Sequence, residues 1–221
     1  MRTISLSQGK LRNWTRTAKT PSTKINKTRL LLLLAPALLS LSVSGADGAT
    51  DYLGVPGPIN VNQLTYDLAW SSHPKDNFYV QEYTPKGETP EHYSNMLTLQ
   101  VVTGNKSARE VLGALVRIIE ERGKTDPLVH HEVFQSAAGK DEYLIDFLQS
   151  EGSGPSIVEW NAYRYQTFTD KSGHTGVLLF GISRRAYGEQ IQPFLVALKT
   201  ERIKLRNALS AHPLPEIAVR Q

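Results

Sequence analysis

Apolar and polar positions alternate through Met96–Val102, and after a Gly-Asn turn the apolar positions change to helical spacing. The stretch from Met96 to Gly123 therefore predicts a strand running into an amphipathic helix. In that helix Val111, Leu112, Leu115, Val116, Ile118 and Ile119 fall on one arc. Arg109, Glu110, Arg117, Glu120 and Glu121 fall on the other, so one face is built to cover a sheet. Ser107 followed by Glu110 is a capping-box pattern, in which each side chain satisfies a backbone N–H that the first turn leaves free. Gly123 supplies the stop expected of a residue that enters the left-handed conformation without a Cβ penalty.

Alternation also predicts strands at Tyr66–Ser71 and Asn77–Tyr83, joined as a hairpin through Ser-His-Pro-Lys-Asp, and a short helical turn from Pro90 to Asn95. Beyond the helix, strands are expected at Leu128–Phe134, Glu142–Gln149, Ser156–Phe168 and Thr175–Ser183. Turn residues separate them. The last strand is apolar on both parities, so both of its faces should be covered. A second helix is expected over Gln192–Ala208, with Phe194, Leu195, Leu198, Leu205 and Leu209 inward and Lys199, Lys204 and Arg206 solvated. These elements predict an α+β fold: one domain over residues 61–210, a mainly antiparallel sheet of about six to seven strands, and two long flanking helices. Residues 47–60, rich in Gly, Pro and Asp, read as a flexible lead-in, and residues 211–221 as a surface tail.

The first 46 residues have a different character. Residues 1–29 carry eight Lys and Arg and no acid, and Leu30–Leu41 is almost wholly apolar. A basic stretch followed by a short apolar one is the pattern of a secretion signal. Ser44 and Ala46 stand at the small-residue positions of a cleavage site, so processing is expected after Ala46, with Ala49 second. The apolar run falls short of the ~20 residues of a membrane-spanning helix. An uncleaved signal-anchor, holding the domain at the inner membrane, is the alternative. The expected location is the periplasm, with membrane contact only through the leader; secretion is a further alternative.

Removing the leader reverses the charge. Of 25 Lys and Arg, 17 remain against 21 acids, a net charge of −4, so nothing in the domain's overall charge points to nucleic acid. The chain has no cysteine, which excludes disulfides, thiol catalysis, Cys-type zinc sites and a lipid anchor.

Candidate chemistry is sparse. His130-His131-Glu132 puts only His130 and Glu132 on one strand face, and two ligands do not make a metal site. Glu142 and Asp146 share a strand face but stand about 13 Å apart, too far for a glycosidase pair, and read as solvated. No nucleotide-binding glycine loop or G-x-S-x-G elbow occurs, and no cofactor is expected. The aromatic residues are the stronger signal. Trp160, Tyr163 and Tyr165 lie on one predicted strand, and with Trp160 and Tyr163 of opposite parity, at least one should reach a less buried face and line a ligand or peptide groove.

The block Glu82–Gln100, EYTPKGETPEHYSNMLTLQ, resembles a segment of uncharacterised secreted proteins of proteobacteria. The order of elements is similar to the PsbP/DcrB-like class of small periplasmic or lumenal α/β sandwiches. The resemblance implies an envelope accessory protein without catalysis, with an antiparallel sheet between helices. It names no site residue here, and the chain lacks the lipobox cysteine of the lipid-anchored members. The expected function is therefore a non-enzymatic accessory protein that binds an envelope protein or a small ligand. The alternative is an envelope hydrolase that assembles His and carboxylate groups in space.

Overall fold

The computed structural model describes residues 14–17, 48–138, 140–151 and 154–220, so the apolar run and the cleavage position at Ala46 lie outside the described residues. The strands are β1 (Trp14–Arg16), β2 (Ile59–Val61), β3 (Leu64–Lys75), β4 (Phe78–Thr84), β5 (Asn95–Thr103), β6 (His130–Ser136), β7 (Glu142–Ser150), β8 (Ile157–Thr169) and β9 (Thr175–Tyr187). The helices are α1 (Ala108–Arg122), between β5 and β6, and α2 (Ile191–Ala211), after β9.

All nine strands join one antiparallel sheet in the order β1-β6-β7-β8-β9-β5-β4-β3-β2. The chain lays down β2 to β5 as a meander from one edge to the middle. It then crosses beneath the sheet as α1, restarts at β6 near the other edge and returns through β7 and β8 to β9, which pairs with β5. The expected count of about six to seven strands is corrected to nine among the described residues. The two additional strands, β1 and β2, have three residues each, too few for alternation to register against their basic or Pro/Gly-rich surroundings. β2 is set by its turn: Asn62 and Gln63 both adopt positive φ, 49° and 68°, as a two-residue type I′ hairpin requires. β3 also runs further than expected, through Pro74 to Lys75. Its register shifts between Ser72 and Lys75, and among the described residues the stretch beyond Tyr66 has no partner on its outer side, so the missing proline N–H breaks no described pairing there.

Strand alternation sends two sets of side chains to opposite faces. Leu112, Leu115, Val116 and Ile119 of α1 pack on Val133, Tyr143, Ile145, Phe147, Val177 and Leu179. Leu198, Leu205 and Leu209 of α2 join Leu97, Leu99, Trp160, Ala162, Phe180 and Ile182 on the other face. β9, apolar on both parities, is covered on both sides as its sequence requires.

The capping box of α1 forms in full: Ser107 N–H donates to Glu110 Oε2 at 2.9 Å and Glu110 N–H to Ser107 Oγ at 3.2 Å. The stop differs from expectation. Gly123 is right-handed, at φ −60° and ψ −14°, and its missing side chain leaves room for Val129 Cγ1, which a Cβ would meet at 3.4 Å. The lead-in and tail are also corrected. Leu53 and Ile217 are both buried in the main core, and Ala218 N–H donates to Leu53 O at 2.8 Å. The two segments cover each other, a long-range pairing that composition does not reveal. Asp170 holds the tail as well, accepting from Val219 N–H at 3.2 Å and from the His174 backbone N–H at 2.8 Å.

Candidate functional site

The structure separates the three aromatic candidates. Trp160 is fully buried on the α2 face, and Tyr165 is buried beneath α1, where it lines a small cavity of about 20 Å³. Tyr163 lines a roomier cleft, on the α1 face where the C-terminal half of that helix stands off the sheet. Its ring lies across Gly181 of β9, where an added Cβ would come within 2.4 Å of Cδ1.

The cleft measures about 120 Å³ and is lined by apolar Met96, Ile118 and Phe147 together with a convergent polar group. Strand register builds that group. Gln149, Glu159 and Arg185 form one row across β7, β8 and β9, and Asn161 stands opposite Ser183 in the next row on the same face. Glu159 is buried and almost fully satisfied. It accepts from Tyr93 Oη at 2.6 Å, Arg185 Nε at 2.8 Å, Asn161 Nδ2 at 3.0 Å and Gln149 Nε2 at 3.3 Å. The Arg185 guanidinium also stacks over the Tyr93 ring at 4.1 Å. Tyr163 Oη donates to Asn161 Oδ1 at 3.0 Å, and Ser183 Oγ donates to the same oxygen at 2.5 Å. Burial and the Glu159 charge push the Tyr93 phenol well above its ordinary range, so it stays a donor at every physiological pH.

Glu82 of β4 is the exception in this otherwise paired site. It lines the same cleft, yet its carboxyl has no hydrogen bond or ion pair among the described residues. Burial first, then the Glu159 charge, push it up to about 7, against a smaller pull from Arg185. The cleft therefore offers a fixed, neutralised ion pair on one wall and an unpaired carboxyl that gains charge near neutral pH on another.

The remaining candidates are structural. His130 and His131 point to opposite sides of β6, and Glu132 is held by Arg206 at 3.0 Å and Arg16 at 3.2 Å. Glu142 and Asp146 are buried, a correction to their expected solvated face. Each has an arginine partner: Arg164 Nε reaches Glu142 Oε1 at 2.6 Å, and Arg206 Nη1 reaches Asp146 Oδ2 at 3.3 Å. Arg206 is likewise buried, stacked over Phe134 at 4.3 Å, where a solvated side chain was expected. Asp141 Oδ2 accepts from Ala108 N–H at 2.7 Å and so caps α1 from a distant turn. Among the described residues no group of three or more His, Asp or Glu side chains converges as a metal site would need, and no helix is long and apolar enough to cross a membrane.

Sequence reading missed the site because Glu82, Tyr93, Gln149, Glu159 and Arg185 come from five separate stretches with no spacing to connect them. The one available signal was acidic and basic side chains at inward positions of strands, each needing a partner. No curated protein and no solved structure matches the chain. A protein-family model matches residues 53–214, which contain every residue of the cleft, and the chain belongs to that family, one of unknown function.

Proposed function

We propose that this chain is a non-enzymatic accessory protein of the bacterial envelope that binds a small organic cation in the cleft beneath α1. The observation that carries this reading is Glu82, a carboxyl without a partner among the described residues, in a cleft whose other charges are already matched. An ammonium or guanidinium group would give Glu82 the charge-assisted hydrogen bonds it lacks, while Met96, Ile118 and Phe147 take up a short apolar stem. Export is supported by the basic stretch and apolar run of the first 46 residues.

Titration calorimetry with agmatine, putrescine and ethanolamine, at pH 6 and pH 8, tests the cleft. Binding should strengthen at the higher pH as Glu82 ionises, and Glu82→Gln should weaken it at least tenfold. Equal binding by wild type and Glu82→Gln, or no binding by any of the three, would remove the cation reading. The mass of the protein recovered from the envelope tests export. A chain starting near Asp47 supports a free periplasmic protein, and an intact leader supports the tethered form.

A further inference from the structure

Trp70 of β3 is a large apolar side chain left 43 % exposed. Strand alternation by itself would turn it inward. Tyr66 and Leu68 of the same strand pack on the main core of the α2 face, and Trp70 would follow them two positions further on. The register shift between Leu68 and Trp70 prevents this: Leu68 stands opposite Tyr83, and Trp70 stands opposite Glu82 instead of the buried Gln81. A bulge of this kind re-aims a side chain. Here it brings Trp70 to the α1 face, across from the carboxyl that has no partner among the described residues, where directly opposed Cβ atoms stand about 5 Å apart.

The cleft itself displays what a carboxylate beside an aromatic ring can hold. Glu159 accepts from the edge of the Arg185 guanidinium, 2.8 Å from Nε and 2.6 Å from Nη2, while the flat face of that group lies over the Tyr93 ring at 4.1 Å. Glu82 and Trp70 repeat this pairing of acid and ring without a cation between them. Among the described residues Glu82 has no hydrogen bond or ion pair, and the Trp70 ring has no aromatic or cation contact. The arginines that line the cleft are engaged elsewhere. Arg185 is held by Glu159, and Arg122 by Asp126 at 3.4 Å and by the Ser150 carbonyl oxygen.

We propose that Trp70 and Glu82 together select a guanidinium as the head group of the cleft's ligand, its N–H edge donating to Glu82 and its face lying on the indole. This rests on the cation reading of the cleft and narrows it from organic cations at large to small alkylguanidines. The two head groups differ in what they ask of a site. An ammonium is a compact, strongly hydrated charge that a carboxylate alone can hold, whereas a guanidinium is planar and more weakly hydrated and gains from stacking on a ring. Met96 and Ile118 then take up the alkyl stem.

Butylguanidine and n-butylamine share one stem and differ only in the head group, so titration calorimetry of the full chain with both at pH 8 isolates the effect. Wild type should bind butylguanidine at least fivefold more tightly than n-butylamine. Trp70→Ala should weaken butylguanidine at least fivefold and n-butylamine no more than about twofold, so that the preference disappears, while Trp70→Phe should retain most of it. Bound butylguanidine should also change the tryptophan emission of wild type and leave that of Trp70→Phe unchanged. A purely structural role for Trp70 would weaken both ligands alike. Equal loss of the two ligands in a Trp70→Ala variant whose circular dichroism matches wild type would overturn the assignment, as would butylguanidine binding with no change in emission. Equal binding of the two ligands by wild type would overturn the guanidinium assignment and leave the cation reading standing, whereas binding of neither would remove both.

Discussion

Tyr93 and Glu159, 66 residues apart in the chain, are joined by a 2.6 Å hydrogen bond from the phenol to the carboxylate. Tyr93 belongs to the loop before β5 and Glu159 to β8, so the bond ties one meander to the other at the end of the sheet that opens into the cleft. Tyr187 reinforces it, accepting from Tyr93 N–H at 3.2 Å and donating to Tyr93 O at 3.1 Å.

Tyr93→Phe should keep the stacking on Arg185 and lose only the hydrogen bond. Hydrogen bonds to charged groups contribute roughly 1.5–3 kcal/mol, and urea unfolding should show a loss in that range. Tyr93→Leu removes the stacking as well and should cost more. Equal losses in the two variants would mean that the guanidinium contact contributes nothing.

Glu82 makes stability depend on pH. Its carboxyl titrates near 4.5 when exposed and at about 7 in the folded chain. The folded state therefore holds a proton that the unfolded state has lost, and stability should fall as pH rises between those values. The upper bound is roughly 1.4 kcal/mol for each pH unit separating them. Urea midpoints should be lower at pH 8 than at pH 5 in wild type. In Glu82→Gln this fall should be much reduced, with the variant the more stable protein at pH 8.

Asp170 has the opposite sign. Burial pushes its carboxyl up, but hydrogen bonds from the His174 side chain, the His174 backbone and Val219 outweigh it and hold the group at about 2, below its ordinary 3.8. Its contribution is complete above the higher value and disappears as pH falls through the lower one. Asp170→Asn should therefore lower the urea midpoint at pH 7, and the gap to wild type should close towards pH 2. Amide exchange at Val219 should accelerate in the variant, since the bond holding the tail is weakened.

Two glycines of β9 separate backbone from side-chain crowding. A Cβ on Gly176 would come within 2.3 Å of Val102 O, a backbone atom of the neighbouring strand, whereas on Gly181 it would meet the Tyr163 ring. Overpacking typically costs about 1–3 kcal/mol. Gly176→Ala should fall at or beyond the top of that range, because the paired backbone cannot yield. Gly181→Ala should cost less in urea unfolding, with Tyr163 displaced towards the cleft and cation binding weakened.

Where a short stretch of chain contains both the cause and its partner, the sequence is sufficient. The Ser107–Glu110 capping box, the inward arc of α1 apart from the exposed Ile118, and the doubly apolar β9 all depend on neighbours within a few positions, and all are legible in the sequence. Seven of the nine strands carry enough alternation to be located; β1 and β2 are too short to show any. The rest was decided by pairing between distant segments. Register places Gln149, Glu159 and Arg185 in one row, buries Trp160 while leaving Tyr163 at the cleft, and brings Arg206 to Asp146. A charged side chain in a sequence carries no mark of whether its partner will be water or an ion sixty residues away. That choice is made when the sheet closes, because a buried charge is tolerated only where the fold supplies its counterpart. Glu82 is left without such a counterpart in the described residues, and only the tertiary structure reveals it.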